Sequence, residues 1–170
     1  MADLLFYGPG HLRDMLEAQA VKMHEAVEAE PESSLMQADE EAWADALAHH
    51  YAADCPVLKT DSVWQEPPKD TTIDVSGDRM RAIFDPYSDA VRNFPAYRIV
   101  VHIPFEGDAR VFRLRPGQFS LSPPRCQVGK DELRLAITFP QDAPRPVDPE
   151  AQSFIDNVQT HLGWARAQGC

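Results

Sequence analysis

The chain has 170 residues, 44% of them hydrophobic and 25% charged, the composition of one ordinary globular domain. Eight glycines, three cysteines and no visible repeat exclude collagen-like, solenoid and disulfide-framework architectures. The net charge of −11 disfavours nucleic acid and anionic membrane in the mean field, but residues 79–134 hold 10 Lys and Arg against 6 Asp and Glu, whereas residues 1–78 hold 4 against 17.

The start, Met1-Ala2-Asp3 followed by Leu4-Leu5-Phe6-Tyr7, lacks a basic region and an apolar run of signal-peptide length. No apolar stretch approaches the roughly 18 residues of a membrane span. Cys55, Cys126 and Cys170 cannot all pair with one another, and no spacing resembles CxxC. These features predict a reduced, cytoplasmic protein.

After the punctuating Gly8-Pro9-Gly10, Leu12, Met15, Leu16, Met23 and Val27 recur at helical spacing, which predicts a helix to about residue 29. Pro31, Ser33 and Ser34 break it. A second helix is expected over about residues 38–53, with Trp43, Ala46, Leu47, His50 and Tyr51 as its stripe and Asp39 to Glu41 at its positive end. The short connection makes the two a hairpin. Residues 56–96 read as irregular, with extended pieces at Val57-Leu58, Val63-Trp64 and Ile73-Asp74-Val75 and a helical turn over residues 79–84.

From Tyr97 the period becomes two. Ile99, Val101, Ile103 and Phe105 alternate with Arg98, Val100, His102 and Pro104, and Leu133, Leu135, Ile137 and Phe139 alternate with Arg134, Ala136 and Thr138. Phe112 and Leu114 read as a further strand, and Gly129-Lys130-Asp131 as a hairpin turn between 125–128 and 132–139. Four prolines stiffen residues 140–149. A last helix follows over 148–168, with Asp148 as N-cap, Pro149 at its first position, and Phe154, Ile155, Val158, Leu162 and Ala165 as its buried stripe. The expected architecture is a single α+β domain: a helical hairpin in 1–55, an antiparallel sheet of about four strands in 97–140, and a C-terminal helix.

No Walker loop, GxGxxG or GxSxG occurs. His49, His50, Asp54 and Cys55 form the richest cluster of metal-type residues, but zinc needs about four converging ligands and spacing supplies no others. His24 and Glu28 do not make HExxH. Cys126, beside Arg125, reads as a buried structural thiol. No catalytic residue, metal or cofactor is nominated.

Period two sends Arg98, His102, Arg113, Arg115 and Arg134 to the sheet face opposite the apolar one, and Arg125 and Lys130 join them at the hairpin. Guanidinium groups so placed suit phosphate or acidic protein surface, and the lack of an aromatic ladder argues against a single-strand nucleic-acid platform. Trp164 stands about 200° around the last helix from Leu162, off the apolar stripe, where it suits a partner anchor. The candidate partner-binding residues are therefore Arg98, Arg113, Arg115, Arg134 and Trp164.

The run His102-Ile103-Pro104-Phe105-Glu106-Gly107-Asp108, then Phe112-Arg113-Leu114-Arg115-Pro116, then Ser122-Pro123-Pro124-Arg125 resembles the N-terminal region of a group of uncharacterised bacterial proteins. In that group a helical or coiled-coil linker and a PD-(D/E)xK nuclease-like domain usually follow. The resemblance covers about residues 11–168 and implies an accessory, sensor or targeting module of a nuclease- or defence-type system. Nuclease chemistry does not carry over: Glu66-Pro67-Pro68-Lys69 has the wrong spacing, and Glu132-Leu133-Arg134 has Arg where Lys is needed.

The leading expectation is a non-catalytic interaction domain that docks a protein partner, or a second copy, through its C-terminal helix and basic sheet face. Nucleic acid enters only through the local basic patch, and membrane not at all. The rivals are a small metal-dependent hydrolase built on His49, His50 and Asp54, and an acidic mimic of nucleic acid.

Overall fold

The computed structural model describes residues 2–36, 39–74, 93–118 and 120–170. The turn expected over 79–84, and Val75, lie outside them. The described chain is α+β, with four helices and one curled antiparallel sheet.

Strand β5, Asn93–Glu106, is the spine of that sheet. On one edge it pairs with β7, Glu132–Pro140, in a register running from Ala96↔Pro140 to Pro104↔Glu132. Beyond β7 lies β6, Arg125–Val128, and beyond that β1, Asp3–Leu4. The other edge of β5 is lined by three strands in series. These are β2 (Val57–Leu58) opposite residues 105–106, β3 (Trp64–Gln65) opposite 101–102, and β4 (Lys69–Asp74) opposite 93–98. The interruptions have local causes: a 3-10 turn at Thr60–Ser62, and Pro67-Pro68, which have no N–H to donate to a ladder. The sheet therefore has seven strands where about four were expected. Strands of two residues are too short to show an alternation.

The inner face carries Ile99, Val101, Ile103, Phe105, Leu133, Ile137 and Phe139, all buried. It is covered by α4, Val147–Ala167, whose Ala151, Ile155, Val158, Leu162 and Ala165 join the same core. Burying each of the larger residues stabilises the fold by roughly 1.5–3 kcal/mol relative to leaving it in water. Helix α4 begins two residues earlier than the expected cap implies, with Pro146 rather than Asp148 as N-cap and Val147 as its first residue. Pro149 then falls inside the first turn, where a missing N–H costs nothing.

Residues 110–115 are not a strand. Asp108 caps a 3-10 turn, Ala109–Arg113, by accepting from Arg110 N at 2.9 Å. Val111 and Phe112 are both buried. Two consecutive core residues fit a helical turn, since a strand would send one of them outward. The N-terminal segment closes over this turn, Phe6 N donating to the Phe112 carbonyl. Gly8 allows the approach, because a Cβ there would sit 1.8 Å from Arg113 O.

The expected hairpin is formed by α1, Leu12–Glu28, and α3, Glu40–Tyr51, which pack on each other. One short helix, α2 (Glu32–Leu35), follows Pro31 where only a break was expected. Asp39 caps α3, accepting from Glu41 N and Ala42 N at 3.1 and 3.4 Å. Only Leu12 of this pair of helices is fully buried. Met15, Leu16, Trp43, Leu47 and Tyr51 are half-buried.

Candidate functional site

The outer face of the sheet is built by alternation. The pleat that turns Ile99 and Val101 inward turns Arg98, Val100 and His102 outward, and the register sets Arg134 opposite His102 and Thr138 opposite Arg98. Gln127 pairs with Arg134, so Arg125, two residues earlier, shares that face. Arg98, Arg125 and Arg134 line one cleft of about 390 Å³, with Glu66, Val100 and Ala136 among its walls.

His102 lies beside this cleft and is buried, against the expectation of a solvated basic side chain. Trp64, paired with it across β3 and β5, stacks on its ring at 3.8 Å and 7°. Nδ1 is 3.1 Å from Glu132 Oε2 and Nε2 is 3.1 Å from Glu66 Oε1. The second oxygen of each carboxylate is also engaged: Lys69 Nζ donates to Glu66 Oε2, and Arg134 Nε donates to Glu132 Oε1 at 2.5 Å. Hydrogen bonds from Lys69 and His102 hold Glu66 below the usual carboxylate range. Burial pushes Glu132 up, but the hydrogen bonds from Arg134 and His102 outweigh it, and Glu132 also ends below its ordinary value.

Both imidazole nitrogens and all four carboxylate oxygens have a partner, and an indole covers the ring. The cluster braces β3, β5 and β7 and aims Arg134. The unengaged cations are beside it, for among the described residues no carboxylate pairs with Arg98 or Arg125.

Two of the expected cations are elsewhere. Arg113, on the 3-10 turn, faces Asp3 at 3.9 Å. Arg115 follows that turn and lies over the Tyr7 ring at 5.0 Å, its backbone tied to Gly10 and Leu12. Neither joins the cleft. Trp164 is half-buried rather than exposed, packed edge-to-face on His161 at 4.6 Å, on the helix that covers the opposite side of the sheet. His161 is itself buried, stacked on Phe6, with Nδ1–H donating to Asn157 O at 2.8 Å. His49, His50 and Asp54 are exposed, and among the described residues no group of three or more His, Cys, Asp or Glu is placed so that it could hold a metal ion. Cys126 faces the core, and burial, with Asp3 nearby, pushes its thiol up to about 12.

Trp64, Glu66, Lys69 and Glu132 were absent from the sequence-derived basic face, whereas Arg125 was part of it. Glu132 was within reach, because a turn at Gly129-Lys130-Asp131 fixes how β7 meets its neighbours. Trp64 and Glu66 carried no such signal, since prolines fragment their segment.

These features define a helix-covered antiparallel α+β fold with an arginine-lined cleft on the sheet face opposite that helix. No protein-family model, curated protein or solved structure matches the chain. Among the described residues no helix is long and apolar enough to cross a membrane.

Proposed function

We propose that this chain is a non-catalytic interaction domain that docks an acidic protein segment in the cleft formed by Arg98, Arg125 and Arg134. The observation that carries this reading is the state of Arg98 and Arg125. A chain with 27 Asp and Glu has carboxylates enough to neutralise every arginine, yet these two stand together without one among the described residues. Guanidinium groups grouped this way present forked donors that match carboxylates. An acidic peptide suits the cleft better than nucleic acid, because the chain's overall charge of −11 opposes a long polyanion. The resemblance to the N-terminal region of bacterial nuclease-linked proteins supports an accessory role in a nuclease- or defence-type system. Three unpaired thiols support a reducing, cytoplasmic setting. Trp164 and the C-terminal helix drop out of the docking surface, as do Arg113 and Arg115.

Fluorescence anisotropy with a labelled oligoglutamate peptide tests this directly. Wild type should bind, more weakly as salt is raised, and Arg98→Glu/Arg125→Glu should lose about tenfold or more in affinity while keeping the wild-type circular dichroism spectrum. Equal binding by both proteins, or no response to salt, would sink the reading. Tighter binding of a single-stranded DNA of equal charge would replace the acidic protein segment with a nucleic acid.

A further inference from the structure

We infer that the docking segment carries a bulky apolar residue beside its acidic ones, and that a second cleft, at the β1 end of the same sheet face, receives it. This rests on the arginine cleft proposed above and names its partner more closely. Arg125 belongs to both clefts. On one side of it stand Arg98 and Arg134. On the other is a cleft of about 490 Å³ whose walls include Leu4, Tyr7, Leu121 and Pro123. Leu4 pairs with Arg125 across β1 and β6, so both side chains lie on the outer face and the two clefts run into each other.

The apolar end is assembled by the N-terminal segment and the loop before β6. Phe6 stands at φ 57°, in the left-handed region that bulky residues seldom enter. There the period of two is broken: Leu5 and Phe6 both enter the core, and Tyr7 returns to the cleft wall with Leu4. Arg115 lies over the Tyr7 ring at 5.0 Å, and Leu5 N donates to Pro124 O at 2.9 Å, which ties the segment to the loop. Tyr7 is 49% exposed and Leu121 95%. Single exposed apolar residues are ordinary. Two on one cleft wall, beside an arginine that no carboxylate pairs with among the described residues, offer apolar surface and positive charge to the same ligand. Neighbouring strands stand about 4.8 Å apart, so the way from Arg98 on β5, across β7 and β6, to Leu4 on β1 is about 14 Å, or roughly four residues of extended chain. The segment expected is a run of carboxylates followed within about four residues by Leu, Phe or Trp.

Two labelled peptides of equal charge separate the parts: oligoglutamate alone, and the same run continued as Gly-Gly-Phe-Leu. In anisotropy titrations the full chain should bind the tailed peptide about tenfold tighter, the return for partly burying a large apolar side chain. That gain should persist as salt is raised, because it is not a charge effect. Tyr7→Ser/Leu121→Ser should remove the gain, keep the wild-type circular dichroism spectrum and bind oligoglutamate as wild type does. Leu121→Ser alone, at a residue too exposed to hold the fold, should remove part of it. Equal affinity of wild type for the two peptides, or a gain that survives in Leu121→Ser and in the double variant, would overturn this inference and leave the arginine cleft standing. Tailed peptide held equally by wild type and Arg98→Glu/Arg125→Glu, with oligoglutamate bound by neither, would overturn the arginine cleft, and with it a single segment spanning both.

Discussion

His102 is gripped from three directions, by Glu66, by Glu132 and by the Trp64 ring. Its partners make the fold sensitive to acid. Both glutamates titrate lower in the folded chain than in the unfolded one. Their contribution is therefore complete above the ordinary glutamate value of about 4.3 and is lost as pH falls through the depressed values. Urea midpoints should decline from about pH 5 downward, and Glu132→Gln should flatten part of that decline. A Glu132→Gln acid limb parallel to that of wild type would show that the pairing contributes nothing. At neutral pH His102→Ala should cost about 1–3 kcal/mol, since it removes a buried ring that both carboxylates contact and Trp64 stacks on. Equilibrium unfolding at pH 7 measures this directly. Arg98 and Arg134 were legible because they sit in long, regular alternations. Arg113 and Arg115 were misplaced because a short apolar run such as Val111-Phe112 fits a strand and a helical turn equally well until tertiary contacts decide.

The elements differ in how firmly the core holds them. Ile137 on β7 is 3% exposed opposite Ile99, so Ile137→Ala should cost about 2–5 kcal/mol. Val21 on α1 is 56% exposed, and Val21→Ala should stay within about 0.5 kcal/mol in the same denaturant titration. Amide exchange should follow this division. The amides of β5 and β7 should exchange only with global unfolding, while those of α3, which buries no residue fully, open locally and sooner. Equal protection in α3 and β5 would mean that the hairpin is locked to the core. The long elements were readable from periodicity, because α1, α3, β5, β7 and α4 each repeat their pattern several times. β2 and β3 showed only as extended pieces at Val57-Leu58 and Val63-Trp64, and β1 not at all, since a two-residue strand has no repeat of its own and exists through its partner.

For the molecule as a whole, charge is sorted by place. The helices α1 and α3 are rich in carboxylates, whereas Arg98, Arg125 and Arg134 gather on the outer sheet face. A field of this kind affects association rate more than affinity. Charge reversal at Arg98 and Arg125 should therefore slow peptide association in stopped-flow measurements, with the largest difference at low salt. A loss confined to dissociation would place the effect in contact geometry instead.

The position of β5 in the chain has a consequence for synthesis. Every described strand before it must wait for a partner not yet made: β2, β3 and β4 need residues 93–106, and β1 needs 125–126. A nascent chain leaving the ribosome amino end first thus has, among the described elements, only its helices to form until β5 emerges. The sheet then stands with one oily side bare until α4 has been translated. Chains stalled at residue 140 should bind a hydrophobic dye and recruit chaperones, and release through residue 167 should end both.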